Sequence, residues 1–123
     1  MYSKAIWEHS QNPRNRGDIE NPDAMGQSRY HRCGDVMRLT FRLVDDRVEE
    51  VRFRAHGCGP AVAAASMATT MLQGLPVDQA RQLNAFELDK ALGGLPISKR
   101  HAILMVLECL AEALGSRTSQ MDQ

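Results

Sequence analysis

From residue 37 to residue 43 the chain alternates: Met37, Leu39, Phe41 and Leu43 are apolar, with Arg38, Thr40 and Arg42 between them. A period of two predicts a half-buried strand over 35–44, one face on a core and one toward water. Asp45-Asp46 makes a turn, and Val48, Val51, Phe53 and Ala55 predict the next strand. A shorter strand is expected upstream, over 26–31. After Cys58 the pattern becomes helical. Pro60 suits a first helical turn, residues 61–72 are rich in alanine and methionine, and Gly74 ends the run. Short helices are expected over 78–83 and 85–92, the second stopped by Gly93-Gly94. Pro96 precedes a final helix over 98–114, with Gly115 as its cap. At the other end, residues 2–11 predict a short amphipathic helix with Tyr2, Ala5 and Ile6 on one side, stopped by Asn12-Pro13. Residues 14–25 are polar and irregular, and 116–123 read as a frayed, flexible tail. Strands followed by helices predict an α+β fold: a three-stranded antiparallel sheet, helices packed on one face, and a long C-terminal helix.

A chain of 123 residues is expected to form a single domain spanning 1–123, large enough for a modest core. Fifteen basic and fifteen acidic residues cancel, so no global charge drives it to nucleic acid or membrane. Three cysteines without a C-x-x-C pair argue against a disulfide framework. Reduced thiols suit a cytoplasmic protein. No apolar run has signal-peptide or membrane-spanning length.

The chemistry concentrates at the ends of elements. His56-Gly57-Cys58-Gly59-Pro60-Ala61 lies where a predicted strand gives way to a helix. The glycines allow a sharp bend there, and the positive end of a helix dipole favours a thiolate at Cys58. Arg32-Cys33-Gly34-Asp35 repeats the theme of a cysteine in a glycine turn, with a carboxylate two residues on. In an antiparallel sheet the turn carrying Cys33 and Asp35 and the end of the Cys58 strand share one edge. Lys99-Arg100-His101-Ala102 brings an imidazole at the start of the last helix. Two thiols, a carboxylate and an imidazole suggest a metal or sulfur site, since zinc accepts all three donor types and histidine can replace cysteine at iron-sulfur clusters.

These segments carry a resemblance. His9-Ser10-Gln11-Asn12-Pro13-Arg14-Asn15, Cys33-Gly34-Asp35-Val36-Met37, Gly57-Cys58-Gly59 and Leu95-Pro96-Ile97-Ser98-Lys99-Arg100-His101 occur in the order and spacing of the iron-sulfur cluster assembly scaffolds. The chain resembles the IscU-type proteins and the N-terminal domain of NifU over nearly its whole length. The resemblance implies a carrier rather than an enzyme: iron and sulfide, or a 2Fe-2S cluster, would assemble on Cys33, Asp35, Cys58 and His101 and pass to acceptor apo-proteins. It also implies that His101 reaches the sheet edge, and that the Asp35 carboxylate keeps a bound cluster labile. A turn-capping role is the plain alternative for Asp35.

The resemblance fails at one ligand position. The family's third cysteine directly follows the histidine, and here that residue is Ala102. Cys109 stands seven residues further, roughly 10 Å along a helix axis. Two ligands of one zinc lie within about 4.6 Å of each other, so Cys109 is expected to be a core thiol. Sulfur from a cysteine desulfurase would then be accepted by Cys33 or Cys58, or acceptance is lost and metal binding kept. The alternatives are a zinc-bound sulfur-transfer protein of the SufU type and a degenerate paralogue that regulates a desulfurase. Leu95, Pro96 and Lys99 match part of the family's LPPVK segment, which implies a chaperone pair as partner; a loop entering a helix is the plain alternative. A single domain without the C-terminal cysteine-bearing domain of the multi-domain NifU architecture is expected.

Elsewhere ordinary readings are expected. His9 is assigned to a solvated helix face, His31 to a surface strand position, and His56 is weighed as a tuner of Cys58. Met67, Met71 and Met105 read as core filler. Arg38, Arg42, Arg52 and Arg54 fall on one sheet face, either simply solvated or facing an acidic partner. Without net charge or interleaved aromatics, no nucleic-acid partner is expected.

Overall fold

The structure is a computed structural model that describes residues 2–30, 32 and 34–115. The anticipated tail, 116–123, lies outside the described residues.

Three strands, β1 (Ala24–Tyr30), β2 (Asp35–Val44) and β3 (Arg47–His56), form an antiparallel sheet in the order β1-β2-β3. The β2–β3 hairpin turns on Asp45 and Asp46, with φ of 52° and 60°. Short polar side chains tolerate this left-handed geometry, which matches the strand twist. Alternation then decides the faces. Met37, Leu39, Phe41, Val51 and Phe53 are fully buried on the core side.

Among the described residues five helices follow the expected order: α1 (Lys4–Gln11), α2 (Gly59–Leu72), α3 (Val77–Ala80), α4 (Ala85–Ala91) and α5 (His101–Leu114). α2 packs against α1, β3 and α5. Ala61, Ala63, Ala64, Ala65 and Ala68 are all buried; their short side chains let three neighbours approach one helix from different sides. α5 lies across β1 and β2. Gly26 makes this possible, because a Cβ there would fall 1.8 Å from the Cys109 carbonyl oxygen. The Cys109 thiol is buried beside Ser28 Oγ, 3.3 Å away, and donates to the Met37 carbonyl at 3.4 Å. Burial pushes its pKa up to about 11, which suits an inert core thiol. Met105 is buried, and Met67 and Met71 pack on the core margin.

The last helix begins three residues later than the periodicity suggested. Ile97–Lys99 form a single 3-10 turn, closed by i→i+3 bonds from Lys99 N–H to Pro96 O and from Arg100 N–H to Ile97 O. His101 therefore stands as the first residue of α5.

Two expectations are corrected by tertiary contacts. His9 is buried rather than solvated: its Nδ1 lies 2.7 Å from Ser66 Oγ on α2, and Ser66 Oγ also accepts the Arg14 N–H at 2.8 Å. Burial, with Arg14 nearby, pushes the His9 pKa down. The outer sheet face is not simply open either. Arg38 and Arg54 both meet Asp18, Arg42 meets Asp23 and the carbonyls of Glu20 and Asn21, and Thr40 Oγ1 accepts the Ile19 N–H. The arginines clamp the irregular segment 16–23 over part of that face. Asp23 also accepts the Leu43 N–H, and this bond, assisted by Arg42, holds its carboxyl below the usual range.

Among the described residues no helix is long and apolar enough to cross a membrane.

Candidate metal centre

The register fixes the centre at one end of the sheet. Tyr30 pairs with Asp35, and Val36 pairs with His56. The β1–β2 turn is drawn tight by Gly34 N–H donating to Tyr30 O at 2.9 Å, with Gly34 at φ 73°. Asp35, the first residue of β2, turns its side chain to the core face and is buried. Cys58 follows the end of β3 as the N-cap residue of α2. His101 arrives from α5, also buried.

The three side chains meet at one atom. Cys58 Sγ donates to Asp35 Oδ2 at 3.5 Å, and His101 Nε2 lies 3.2 Å from the same oxygen. Donor atoms of all three lie within 4.8 Å of one another. Thiol, carboxylate and imidazole from separate elements thus converge closely enough to share one metal ion. The donor set fits a borderline metal such as zinc, or iron.

Two neighbours shape this cluster, and neither role was visible in the sequence. Tyr30 stacks on His101, ring centroids 4.1 Å apart and planes 14° from parallel. Its only signal was an aromatic residue near the end of a predicted strand. Gly57 passes directly against the carboxylate: a Cβ there would fall 2.4 Å from Asp35 Cγ.

The electrostatics reverse one expectation. A cysteine at a helix N-terminus was expected to favour thiolate, but the Cys58 pKa is raised. Burial is the largest cause, and the Asp35 carboxylate adds to it, against the Ala61 N–H and Lys99. The dipole of α2 is outweighed because the thiol is desolvated beside a like charge. A metal ion would reverse that balance by binding the thiolate form.

Other candidates separate from the cluster. Cys33 and His31 lie outside the described residues. His56 is exposed and pairs with Val36, one position off the Asp35 face. Cys109 hydrogen-bonds within the core. Ala102 is buried and has no donor atom. Leu95 belongs to the core, its N–H bonded to Asp89 Oδ1 at 2.8 Å. Pro96 and Lys99 are half-buried, whereas Ile97 is 86% exposed.

Comparison with known proteins places this arrangement. Residues 1–121 match the NifU-like N terminal domain. The chain belongs to that family. Within the NifU/IscU group, an iron-sulfur cluster assembly scaffold protein IscU of Archaeoglobus fulgidus is 38% identical over 114 residues, covering 93% of this chain and 74% of the relative. The IscU scaffold of Escherichia coli is 30% identical over 125 residues, covering 98% and 97%. In fold, the chain is similar to a crystal structure from Fervidobacterium islandicum described as a putative iron-sulfur cluster assembly scaffold for the SUF system. The TM-score is 0.76 at 24% identity, covering 92% of this chain and 96% of that one.

Proposed function

We propose that this NifU/IscU-family chain is an iron-sulfur cluster assembly scaffold, and that iron or a 2Fe-2S cluster is its cargo rather than a resident cofactor. The observation that carries the reading is the convergence of buried Asp35 and His101 with half-buried Cys58, their donor atoms within 4.8 Å. Cys33, two residues before Asp35 in the chain, supplies the fourth donor in this reading. The likeness to named IscU scaffolds over more than nine-tenths of the chain supports it.

Each residue has a distinct task. Cys58 and Cys33 bind as thiolates, His101 supplies a neutral nitrogen, and Asp35 a hard oxygen. A mixed donor set holds a soft cluster less tightly than thiolates alone, which suits a protein that must release what it carries. Sulfur would come from a cysteine desulfurase. A scaffold thiolate attacks the outer sulfur of the donor's persulfide, takes it, and frees the donor's thiolate. With Ala102 unable to accept sulfur, that task falls to Cys33 or Cys58. Recipients are apo-proteins, and reduced thiols fit a cytoplasmic setting. A chaperone reading the 95–99 segment would have to rely on Pro96 and Lys99, since Leu95 is buried.

The test is native mass under anaerobic conditions after incubation with ferrous iron, cysteine, a cysteine desulfurase and excess dithiol, which reduces the transferred persulfide sulfur to sulfide. A gain matching a 2Fe-2S unit, lost in Cys33→Ser and in Cys58→Ser and kept in Cys109→Ser, is expected. Ala102→Cys should raise the yield if a missing thiol limits assembly. A gain of one zinc only would turn the reading to a sulfur-transfer protein, and unchanged metal content in Cys58→Ser would remove the site assignment.

A further inference from the structure

The outer face of the sheet carries charge unevenly, and the imbalance lies at the end nearest the metal centre. Toward the hairpin the arginines are matched: Arg52 meets Glu50 at 2.5 Å and Arg42 meets Asp23 at 3.3 Å. Toward the centre they are not. The first outward row runs Arg29–Val36–His56 across the three strands, and the second Gln27–Arg38–Arg54. Among the described residues Asp18 is the one carboxylate ion-paired with an arginine of these rows, shared by Arg38 at 3.3 Å and Arg54 at 2.5 Å, while Glu112 accepts the Gln27 N–H at 2.8 Å.

This surface is also concave. A cavity of about 300 Å³ is lined by Arg16, Gln27, Arg38, Arg54 and His56 around Val36. A shallower depression continues it past Arg29. Arg38 Nε is buried and has no hydrogen-bond partner among the described residues, and Arg29 pairs with no carboxylate there. Four guanidinium groups therefore face one shared acid in a chain whose formal net charge is zero.

We propose that this arginine trough docks an acidic segment of a partner polypeptide, two or more carboxylates at a time, on the sheet face opposite the Asp35–Cys58–His101 cluster. Guanidinium forks match carboxylate geometry and are weakly hydrated, so they release water readily on pairing. Gln27 adds an amide for a backbone contact, and Val36 an apolar floor. Nucleic acid fits less well. Among the described residues no Phe, Tyr or Trp side chain lines the trough to stack a base. The trough begins one pair beyond Tyr30–Asp35, so a partner held there by its acids would lie close to the metal centre. The inference rests on the outer face alone and stands whether or not the cluster binds metal.

The experiment uses the metal-free chain and a fluorescein-labelled hexaglutamate peptide, followed by anisotropy at low ionic strength. Saturable binding that weakens as salt is added is expected. Arg29→Gln combined with Arg54→Gln should weaken it about fivefold, while Arg47→Gln at the hairpin end leaves it unchanged. Arg54→Gln also loosens the Asp18 clamp, so Arg29→Gln alone provides the variant with no internal pair to lose; it should weaken binding with an unaltered melting temperature. Absence of saturable binding overturns the proposal. So does an equal loss in Arg47→Gln, or tighter binding of a single-stranded DNA oligonucleotide of the same charge.

Discussion

Gly57 and Asp35 touch across the end of the sheet so closely that one extra carbon cannot be fitted: a Cβ on Gly57 would lie 2.4 Å from both Asp35 Cγ and Oδ1. The glycine's φ of 156° is also one that L side chains rarely adopt. Gly57→Ala should push the carboxylate away from Cys58 and His101 while leaving the distant core intact. Zinc or ferrous iron affinity, measured by competition with a chromophoric chelator, should fall at least about tenfold, as expected when a ligand's positioning is lost. An affinity equal to wild type would show that Asp35 is not a ligand.

The stacked Tyr30 ring holds the His101 imidazole face-on. Tyr30→Leu keeps apolar bulk but removes the ring. Stacking of this kind is worth about 0.5–1.5 kcal/mol, so metal affinity should fall roughly two- to tenfold, less than for His101→Ala. Tyr30→Phe should behave as wild type. If Leu and Phe variants bind equally, stacking does not orient the imidazole.

Much of the fold could be read from period and punctuation. The Met37–Leu43 alternation set both the span and the buried face of β2, and Asp45-Asp46 marked a turn that needs left-handed backbone. Those signals are local. The burial of His9 was not legible, because it depends on Ser66, 57 positions away, whose hydroxyl also caps the Arg14 N–H. Nor was the role of the sheet arginines, because segment 16–23 that they clamp has no periodic signature. At the centre the spacing brought Asp35 and Cys58 to one sheet end, whereas the arrival of His101 rested on likeness to a family. The raised thiol pKa escaped a helix-dipole argument because desolvation and the Asp35 charge exist only once the elements pack.

The contact between Gly26 and the Cys109 carbonyl makes a core prediction independent of metal. Gly26→Ala places a methyl 1.8 Å from that oxygen, so α5 must lift off β1. Overpacking of this kind costs about 1–3 kcal/mol or more. Urea unfolding should show a lower midpoint, with metal affinity also reduced because His101 rides on α5. Cys109→Ala, which removes only a small buried thiol, should destabilise without changing metal stoichiometry.

The His9–Ser66 pair predicts acid sensitivity that can be separated from the metal centre. The native His9 pKa lies below the ordinary value of 6.5. Above pH 6.5 both native and unfolded chains carry neutral His9, and the stability it supports is fully present. As pH falls below 6.5 the unfolded chain takes up a proton before the native chain does, so stability declines until the lower native pKa is passed. The urea midpoint should therefore drop between about pH 7 and pH 5.5, and part of that drop should vanish in His9→Gln, while the other histidines contribute equally to both proteins. Ser66→Ala should cost about 1–3 kcal/mol, since it strands the part-buried Arg14 N–H and the buried His9 Nδ1 together. A pH dependence identical in wild type and His9→Gln would mean that the imidazole is as free to protonate in the folded chain as in the unfolded one.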